Sequence, residues 1–176
     1  MSMKSELSIS ASAESSADDF DFLVGHRWNI RSRKLNSRLT GCTDWTEGVA
    51  QAECRKILTG MANIDSFKTE TAGKEFEGMA VRLFNPKTRL WSIYWADNDR
   101  VTMDPPQIGS FDGPVGDFLA RDVLEGTDVI VRFHWDKTDP NAPVWSQAFS
   151  TDGGETWEWN WYMHFTPAEE KIATAG

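Results

Sequence analysis

The chain has 176 residues, with 27 acidic and 18 basic side chains and a net charge of −9. This length fits one domain, and the acidic balance disfavours nucleic acid and anionic membranes as partners. No run of about 18 apolar residues predicts a transmembrane helix, and residues 1–17 lack the apolar centre of a signal peptide. We expect a cytoplasmic protein with a disordered tail at 1–17, a single domain at 18–167 and a C-terminal tail at 168–176.

The first third of the chain predicts one helical turn followed by extended segments. Acidic capping residues precede three apolar side chains within 18–25, which indicates a short helical turn. Alternation predicts strands at 26–35 and 60–70, and two strands separated by a break at Gly48 within 42–58. The basic cluster at 27–38 includes Trp28 and so raises a nucleic-acid interpretation. We favour a solvent-facing strand edge, where charges prevent edge-to-edge pairing.

A clear hairpin is predicted at 75–95. Its strands, 75–84 and 89–95, flank a turn at 85–88 that has proline at its second position. Pairing Phe84 with Arg89 produces one bulky face that includes Arg82 opposite Trp91, while Tyr94 falls on the reverse face. Three prolines and three glycines follow between positions 98 and 116, which indicates a loop-rich edge with a short strand near 108–111.

A second hairpin is predicted at 117–135, with its turn at 125–128. Val131 and Phe133 then belong to one face and Arg132 and His134 to the other. Together with the terminal hairpin described next, these segments indicate an antiparallel meander of about eight to ten strands.

The terminal hairpin at 143–165 turns at a motif, S-x-D-x-G-x-T-W at 150–157, that matches the Asp-box. The Asp-box recurs in sialidases and other β-proteins, where it shapes a hairpin and takes no part in catalysis. One copy in a chain too short for a propeller indicates a structural turn. Asp152 supplies an acceptor for turn amides, and the glycines that follow it tolerate positive φ.

Pairing across this hairpin gives two chemically different faces. Ser150 opposite Trp157 implies Ala148 opposite Trp159 and Ser146 opposite Trp161, so small residues face large ones. The reverse face mixes aromatic and polar side chains: Trp145, Gln147, Phe149, Glu158, Asn160, Tyr162 and His164. A slip of one residue would exchange the two faces.

Residues 22–28, FLVGHRW, followed by a meander and a terminal aromatic strand, resemble lipocalin-like (calycin) barrels, and most closely the uncharacterised bacterial families of that shape. Two residues separate Gly25 from Trp28 where lipocalins have one. The resemblance covers about residues 20–166 and implies an all-β, closed or nearly closed antiparallel barrel with an internal pocket. Such barrels carry, sense or, less often, transform small molecules, so no reaction is implied.

The mixed face has the composition of a ligand site, because such sites are mostly apolar and aromatic with a few placed polar groups. We therefore expect it to line the lumen; in the alternative it meets water and the tryptophan face points inward. The leading hypothesis is binding of a small amphipathic or aromatic ligand that carries a carboxylate or carbonyl. The predicted ligand-binding residues are Tyr94, Arg132, His134, Trp145, Gln147, Phe149, Glu158, Asn160, Tyr162 and His164.

The alternative is a cofactor-free enzyme of isomerase, cyclase or hydratase type on the same barrel. Glu158 or His164 would then act as general acid or base, with a pKa moved by loss of hydration. We expect no cofactor and no metal, since Cys42 and Cys54 beside three scattered histidines give no zinc spacing.

The chain also has more large aromatic side chains than one small lumen readily holds. Some members of the set Trp91, Trp95, Trp157, Trp159 and Trp161 should therefore lie outside it. Exposed apolar patches usually mark contacts. This predicts a two-fold symmetric homodimer with part of the tryptophan face at its interface.

Overall fold

The structure, a computed structural model, describes residues 7–71 and 73–168. It contains ten strands and two short 3-10 helices, Asp21–Leu23 and Leu58–Gly60. The strands are β1 Arg27–Leu35, β2 Trp45–Ile57, β3 Ala62–Thr71, β4 Lys74–Asn85, β5 Leu90–Asp97, β6 Gln107–Asp112, β7 Val115–Leu124, β8 Thr127–Asp136, β9 Val144–Ser150 and β10 Glu158–Pro167. Across the described ranges, no helix has the length and hydropathy that crossing a bilayer requires.

Each strand pairs antiparallel with the next, and β1 also pairs with β10, so the sheet closes on itself. The predicted fold class is confirmed: the chain forms a single all-β meander barrel, compatible with a lipocalin-like fold. Alternation then decides which side chains face the lumen, because successive residues of a strand point to opposite sides of the sheet.

Two predictions for the first strands are wrong. The sequence predicts a break at Gly48, but β2 runs unbroken through it, with Gly48 paired to Ser32 of β1. This glycine has ordinary extended backbone and no close neighbours, so nothing there interrupts the ladder. β1 is also not an edge strand, because it has partners on both sides.

The β4–β5 hairpin has a different register from the predicted one but the same faces. Phe84 pairs with Trp91 rather than with Arg89, a shift of two residues. Because side chains alternate with period two, a shift of two leaves each residue on its original face. The predicted division of β7 and β8 into faces is confirmed, with Phe118 opposite Phe133.

The terminal hairpin follows the predicted register only to Ala148 opposite Trp159. Beyond that pair, Asn160 is an extra residue, and Trp161 instead of Asn160 stands opposite Gln147. Such a β-bulge places two residues of one strand against one residue of its partner. Every side chain after Asn160 therefore faces the side opposite to the predicted one.

The Asp-box folds as the predicted structural turn. The Asp152 carboxylate accepts hydrogen bonds from the backbone amides of Glu155 and Thr156, at 3.0 and 2.9 Å, and from the Ser150 hydroxyl at 2.7 Å. These bonds hold the pKa of Asp152 far below its usual range, the Thr156 hydroxyl contributing most. All of these bonds lie within the turn, so the Asp152 carboxylate has a structural role.

One end of the barrel is closed by aromatic side chains from the segment before β1. Phe20 is fully buried, with its ring centroid 4.9 Å from that of Trp91 and 5.0 Å from that of Phe111. The indole nitrogen of Trp28 donates to the Leu23 carbonyl at 3.1 Å. The predicted helical turn is present as Asp21–Leu23, and its role is to seat this plug.

The segment ahead of the plug is hydrogen-bonded to the outside of the barrel. The Arg89 guanidinium donates to the carbonyls of Ser12 and Ser15 at 3.2 and 3.1 Å, and also to that of Ala13. Residues 1–6 of the expected N-terminal tail and 169–176 of the expected C-terminal tail lie outside the described residues. The predicted domain boundaries stay predictions.

Candidate functional site

The lumen contains a cavity of about 690 Å³ that runs from the aromatic plug to the opposite, open end of the barrel. A second concavity of about 700 Å³ lies on the outer wall, along β2–β5 and the loop after β5. We take the lumen as the candidate site because strands surround it and aromatic side chains line it. The outer concavity lies on the surface of the sheet and has no aromatic side chain in its lining.

Rigid aromatic side chains form the walls of the lumen. The rings of Trp145 and Trp161 meet edge to face at 5.3 Å between centroids, and those of Phe133 and Trp145 at 5.0 Å. On the facing wall, Phe67 and Trp95 are 5.9 Å apart. Ligand pockets of this size are commonly walled by such surfaces, which contact flat apolar molecules closely.

Arg82 lies at the inner end of the lumen and is only 4% exposed. Its Nη1 donates to Oδ1 of Asn63 at 2.9 Å, and its Nη2 bonds Oδ2 of Asp65 at 2.5 Å. The guanidinium carbon is 5.0 Å from the ring centroid of Phe20 in the plug and 5.8 Å from that of Trp135. Within the described chain, Nε of Arg82 has no acceptor.

A second buried polar atom is unsatisfied beside Arg82. The side-chain carbonyl oxygen of Gln107 has no donor among the described residues. Ile93 pairs with Arg82 on one side and with Gln107 on the other, so the three residues form one rung across β4, β5 and β6. Both atoms are themselves buried, so they belong to the packed wall beside the cavity and not to its open space.

Two cations stand at the mouth, each over an aromatic ring of the lumen. The Lys34 ammonium is 4.4 Å from the Trp161 ring centroid, and the Arg38 guanidinium carbon is 5.3 Å from that of Phe149. Loss of hydration at the barrel rim lowers the pKa of both groups, and the neighbouring Arg38 charge lowers that of Lys34 further. The charge of Glu158 acts on Arg38 in the opposite direction, so this side of the mouth contains two cations and one carboxylate.

Three of the predicted ligand-binding residues line the lumen as expected: Trp145, Gln147 and Phe149. Asn160 is fully buried in the bulge, where its side-chain oxygen accepts a hydrogen bond of 2.8 Å from the Gln147 amide. Glu158 lies at the mouth and accepts the backbone N–H of Leu39 with both oxygens, at 2.9 Å each. That bond holds the loop after β1 against the rim.

The other five predicted residues face outward, and their expected place in the lumen is wrong. Tyr162 and His164 follow the bulge, which turns Trp161, Met163 and Phe165 inward in their place. For Arg132, His134 and Tyr94 the reason is alternation, because the residues on either side of each contribute to the lumen or its core. His164 is exposed and cannot act in the pocket.

Sequence reasoning missed several polar groups of the lumen, among them Arg82, Asp65, Gln107, Lys34 and Arg38. Arg82 had a readable signal, because it falls on a predicted strand face otherwise made of small residues and large apolar ones. A charged residue on such a face indicates a buried cation with a partner. The other four have no comparable signal, since their facing depends on barrel closure and loop position.

The outward residues form a polar and aromatic cluster on the wall. Asp117 accepts from Nε of Arg132 at 2.6 Å and contacts Nδ1 of His134 at 2.8 Å. The Arg132 guanidinium lies 5.4 Å from the ring centroids of both Trp157 and Trp159. Trp157 and Trp159 therefore lie outside the lumen, whereas Trp91, Trp95 and Trp161 lie inside the barrel. The predicted homodimer stays a prediction.

We expect this cluster to contribute to acid sensitivity. Burial raises the pKa of Asp117, but hydrogen bonds from His134 and Arg132 outweigh it and hold the pKa at about 2. An unfolded Asp has a pKa of about 3.9, so the unfolded chain binds this proton first and stability falls from about pH 4 to 2. In urea unfolding, Asp117→Asn should cost more at pH 6 than at pH 2. An equal cost at both pH values would contradict this.

Both cysteines of the chain, Cys42 and Cys54, are free thiols. Cys54 is a free thiol buried near the plug, and burial raises its pKa to about 11. In the described part of the chain, no group of three or more His, Cys, Asp and Glu side chains is placed to hold a metal ion.

No protein-family model matches this chain, and a search of curated proteins finds no significant match. Because a barrel fold does not by itself specify a function, the function must be inferred from the residues that line the lumen.

Proposed function

We propose that this protein binds a small amphipathic molecule with a flat apolar body in the barrel lumen. The observation that carries the proposal is the cavity of about 690 Å³, whose walls include the aromatic rings of Trp145, Trp161, Phe67 and Trp95. Aromatic walls suit a flat apolar body, and the polar groups at the mouth suit the polar end of an amphipathic molecule.

The lumen favours a binding function over the alternative of acid/base catalysis. His164 lies on the outer wall, and both carboxylate oxygens of Glu158 already accept the Leu39 amide. Neither residue is among those that line the cavity. We further propose that the protein is a cytoplasmic carrier or sensor related to the uncharacterised bacterial lipocalin-like families that it resembles.

Filling the lumen should abolish binding. Ala120 of β7 lines the cavity opposite Val131, so the indole in Ala120→Trp would occupy the space between the aromatic walls. We expect affinity for the fluorescent probe 8-anilinonaphthalene-1-sulfonate to fall by roughly tenfold or more, about 1.4 kcal/mol. Fluorescence titration measures this, with Ala120→Leu as a smaller obstruction of intermediate effect.

His164→Trp is the matched control, because it adds the same indole to the outer wall and should leave the affinity unchanged. Circular dichroism verifies that each variant keeps its strands. Equal affinity of the wild-type protein and a folded Ala120→Trp variant would place the probe outside the lumen and refute the proposed function.

A further inference from the structure

We propose that the loop between β1 and β2, residues 36–44, is a lid over the mouth of the lumen, and that the Glu158 carboxylate is the latch that keeps this lid closed. The proposal rests on the proposed function, since it concerns how a ligand enters and leaves the same cavity. It follows from the contacts that Arg38 and Leu39 make at the tip of the loop.

The tip of the lid covers an apolar part of the rim. Arg38 is one of the residues that line the cavity, and its guanidinium carbon is 5.3 Å from the ring centroid of Phe149. Leu39 packs beside it, against the buried cluster of Val129, Val131 and Phe149. Because Phe149 is only 6% exposed beneath this cover, a molecule that approaches from the side of β1 can reach this wall only after the lid has moved.

A single carboxylate joins the tip of the lid to the barrel by hydrogen bonds. Both oxygens of Glu158 accept the Leu39 N–H, at 2.9 Å each. The remaining bonds of the loop are internal, such as that from the Thr40 hydroxyl to the Ser37 hydroxyl at 2.9 Å. Among the described residues, no other hydrogen bond connects 37–43 to a strand of the barrel.

The closed lid contains an unfavourable backbone conformation at the residue that the latch holds. Leu39 has φ of 58°, in the left-handed region, which costs free energy for a residue with a Cβ atom. Gly41 has φ of 70°, which glycine adopts without that cost. The contacts of Leu39 with Glu158 and with the apolar cluster must offset the cost, so loss of the latch allows the loop to relax into an open conformation.

The loop on the opposite rim, 98–106, is attached more firmly than the lid. Arg100 pairs with Asp97 at 2.9 Å and with Asp104 at 2.7 Å. The backbone amide of Asp104 also donates to the Trp95 carbonyl at 2.9 Å, which fastens this loop to β5. Segments with few such bonds open at a lower free energy than the rest of a protein. The lid is therefore the part of the mouth that moves.

Limited proteolysis of Glu158→Met tests the latch without any ligand. Methionine keeps the length of the side chain but removes both carboxylate oxygens that accept the Leu39 N–H. Trypsin cleaves after arginine, and the bond between Arg38 and Leu39 becomes accessible when the lid opens. We expect cleavage at this bond, followed by mass spectrometry, to be roughly tenfold faster than in the wild-type protein. Cleavage after the lysines and arginines of the strands should keep its wild-type rate, which distinguishes lid opening from global unfolding.

Stopped-flow binding of 8-anilinonaphthalene-1-sulfonate to the same variant tests whether the lid controls exchange. An open lid admits and releases the probe alike, so the association and dissociation rate constants should both rise roughly tenfold, while Kd changes by less than about threefold. Removal of a repulsive charge would instead raise the first and lower the second. Glu155→Met is the matched control, because it removes an exposed carboxylate from the adjoining turn and leaves the bond to Leu39 intact.

The outcomes separate this inference from the proposed function. Unchanged cleavage after Arg38 in Glu158→Met would overturn the latch. Faster cleavage with unchanged binding kinetics would overturn the lid as a gate and leave the proposed function intact, and so would a change in the dissociation rate alone, since the loop would then be part of the binding wall. A wild-type protein that does not bind the probe would refute the proposed function, and the gate with it.

Discussion

Arg82→Met is expected to lower the free energy of unfolding by about 3–5 kcal/mol, because it breaks a buried ion pair from one side. Methionine matches the length of the arginine stem but leaves the Asp65 carboxylate without its cation. Asn63 loses the arginine donor and keeps only the weak donor of the Cys54 thiol. The contact of the guanidinium with the Phe20 ring in the plug is lost as well. Urea unfolding at pH 7 measures the loss.

Two companion variants separate the buried pair from a general effect of losing charge. Replacing both partners, as in Arg82→Met with Asp65→Leu, should recover much of the stability because no unpaired charge remains. Arg27→Met makes the same change in the exposed pair with Glu53 and should cost no more than about 1 kcal/mol. Similar losses for Arg82→Met and Arg27→Met would show that burial does not control the effect.

Gly109→Ala is expected to destabilise the barrel by about 4 kcal/mol or more, at the exceptional end for one methyl group. A Cβ at this position would lie 1.8 Å from the carbonyl oxygen of Asp117 and 2.8 Å from Cα of Phe118. Both are backbone atoms of the paired strand β7, so a rotamer change cannot relieve the overlap. β6 would have to separate from β7.

Gly48→Ala is the matched control for this substitution. Gly48 also sits inside a strand, but a Cβ there would meet nothing within 4 Å and its backbone has no positive φ. Alanine should then be neutral or stabilising by up to about 1 kcal/mol, since it restricts the unfolded chain. Thermal unfolding measures the stability of both variants, and equal midpoints would contradict the predicted loss for Gly109→Ala.

Much of the fold could be predicted because the pairing rules are local. The turn between β7 and β8 contains Glu125 and Gly126, both with positive φ, and such a two-residue turn determines the register of its hairpin. The β4–β5 turn is harder to predict, because Arg89 adopts φ of 59° and belongs to the loop, which covers 86–89 between the paired Asn85 and Leu90 and not 85–88. The resulting shift of two residues keeps Arg82 on its predicted face.

The site was harder to predict than the fold, since one irregular residue reverses half a strand. Nothing in the local sequence marks Asn160 as a bulge, and period-two counting therefore carries Tyr162 and His164 to the wrong side. The cations at the mouth could not be predicted from the sequence for another reason. Arg38 and Lys34 meet the lumen only because β1 closes against β10 and the following loop folds over Phe149.

The bulge in β10 determines where this strand can lose a residue. Without Asn160, Trp161 would follow Trp159 directly and would still stand opposite Gln147, as it does now. All later pairs with β9 and β1 would keep their partners and their faces. A deletion elsewhere in the strand would reverse the facing of its neighbours. Asn160 is thus a position at which β10 can shorten by one residue while the barrel keeps its register, the loss being a buried amide that bonds Gln147.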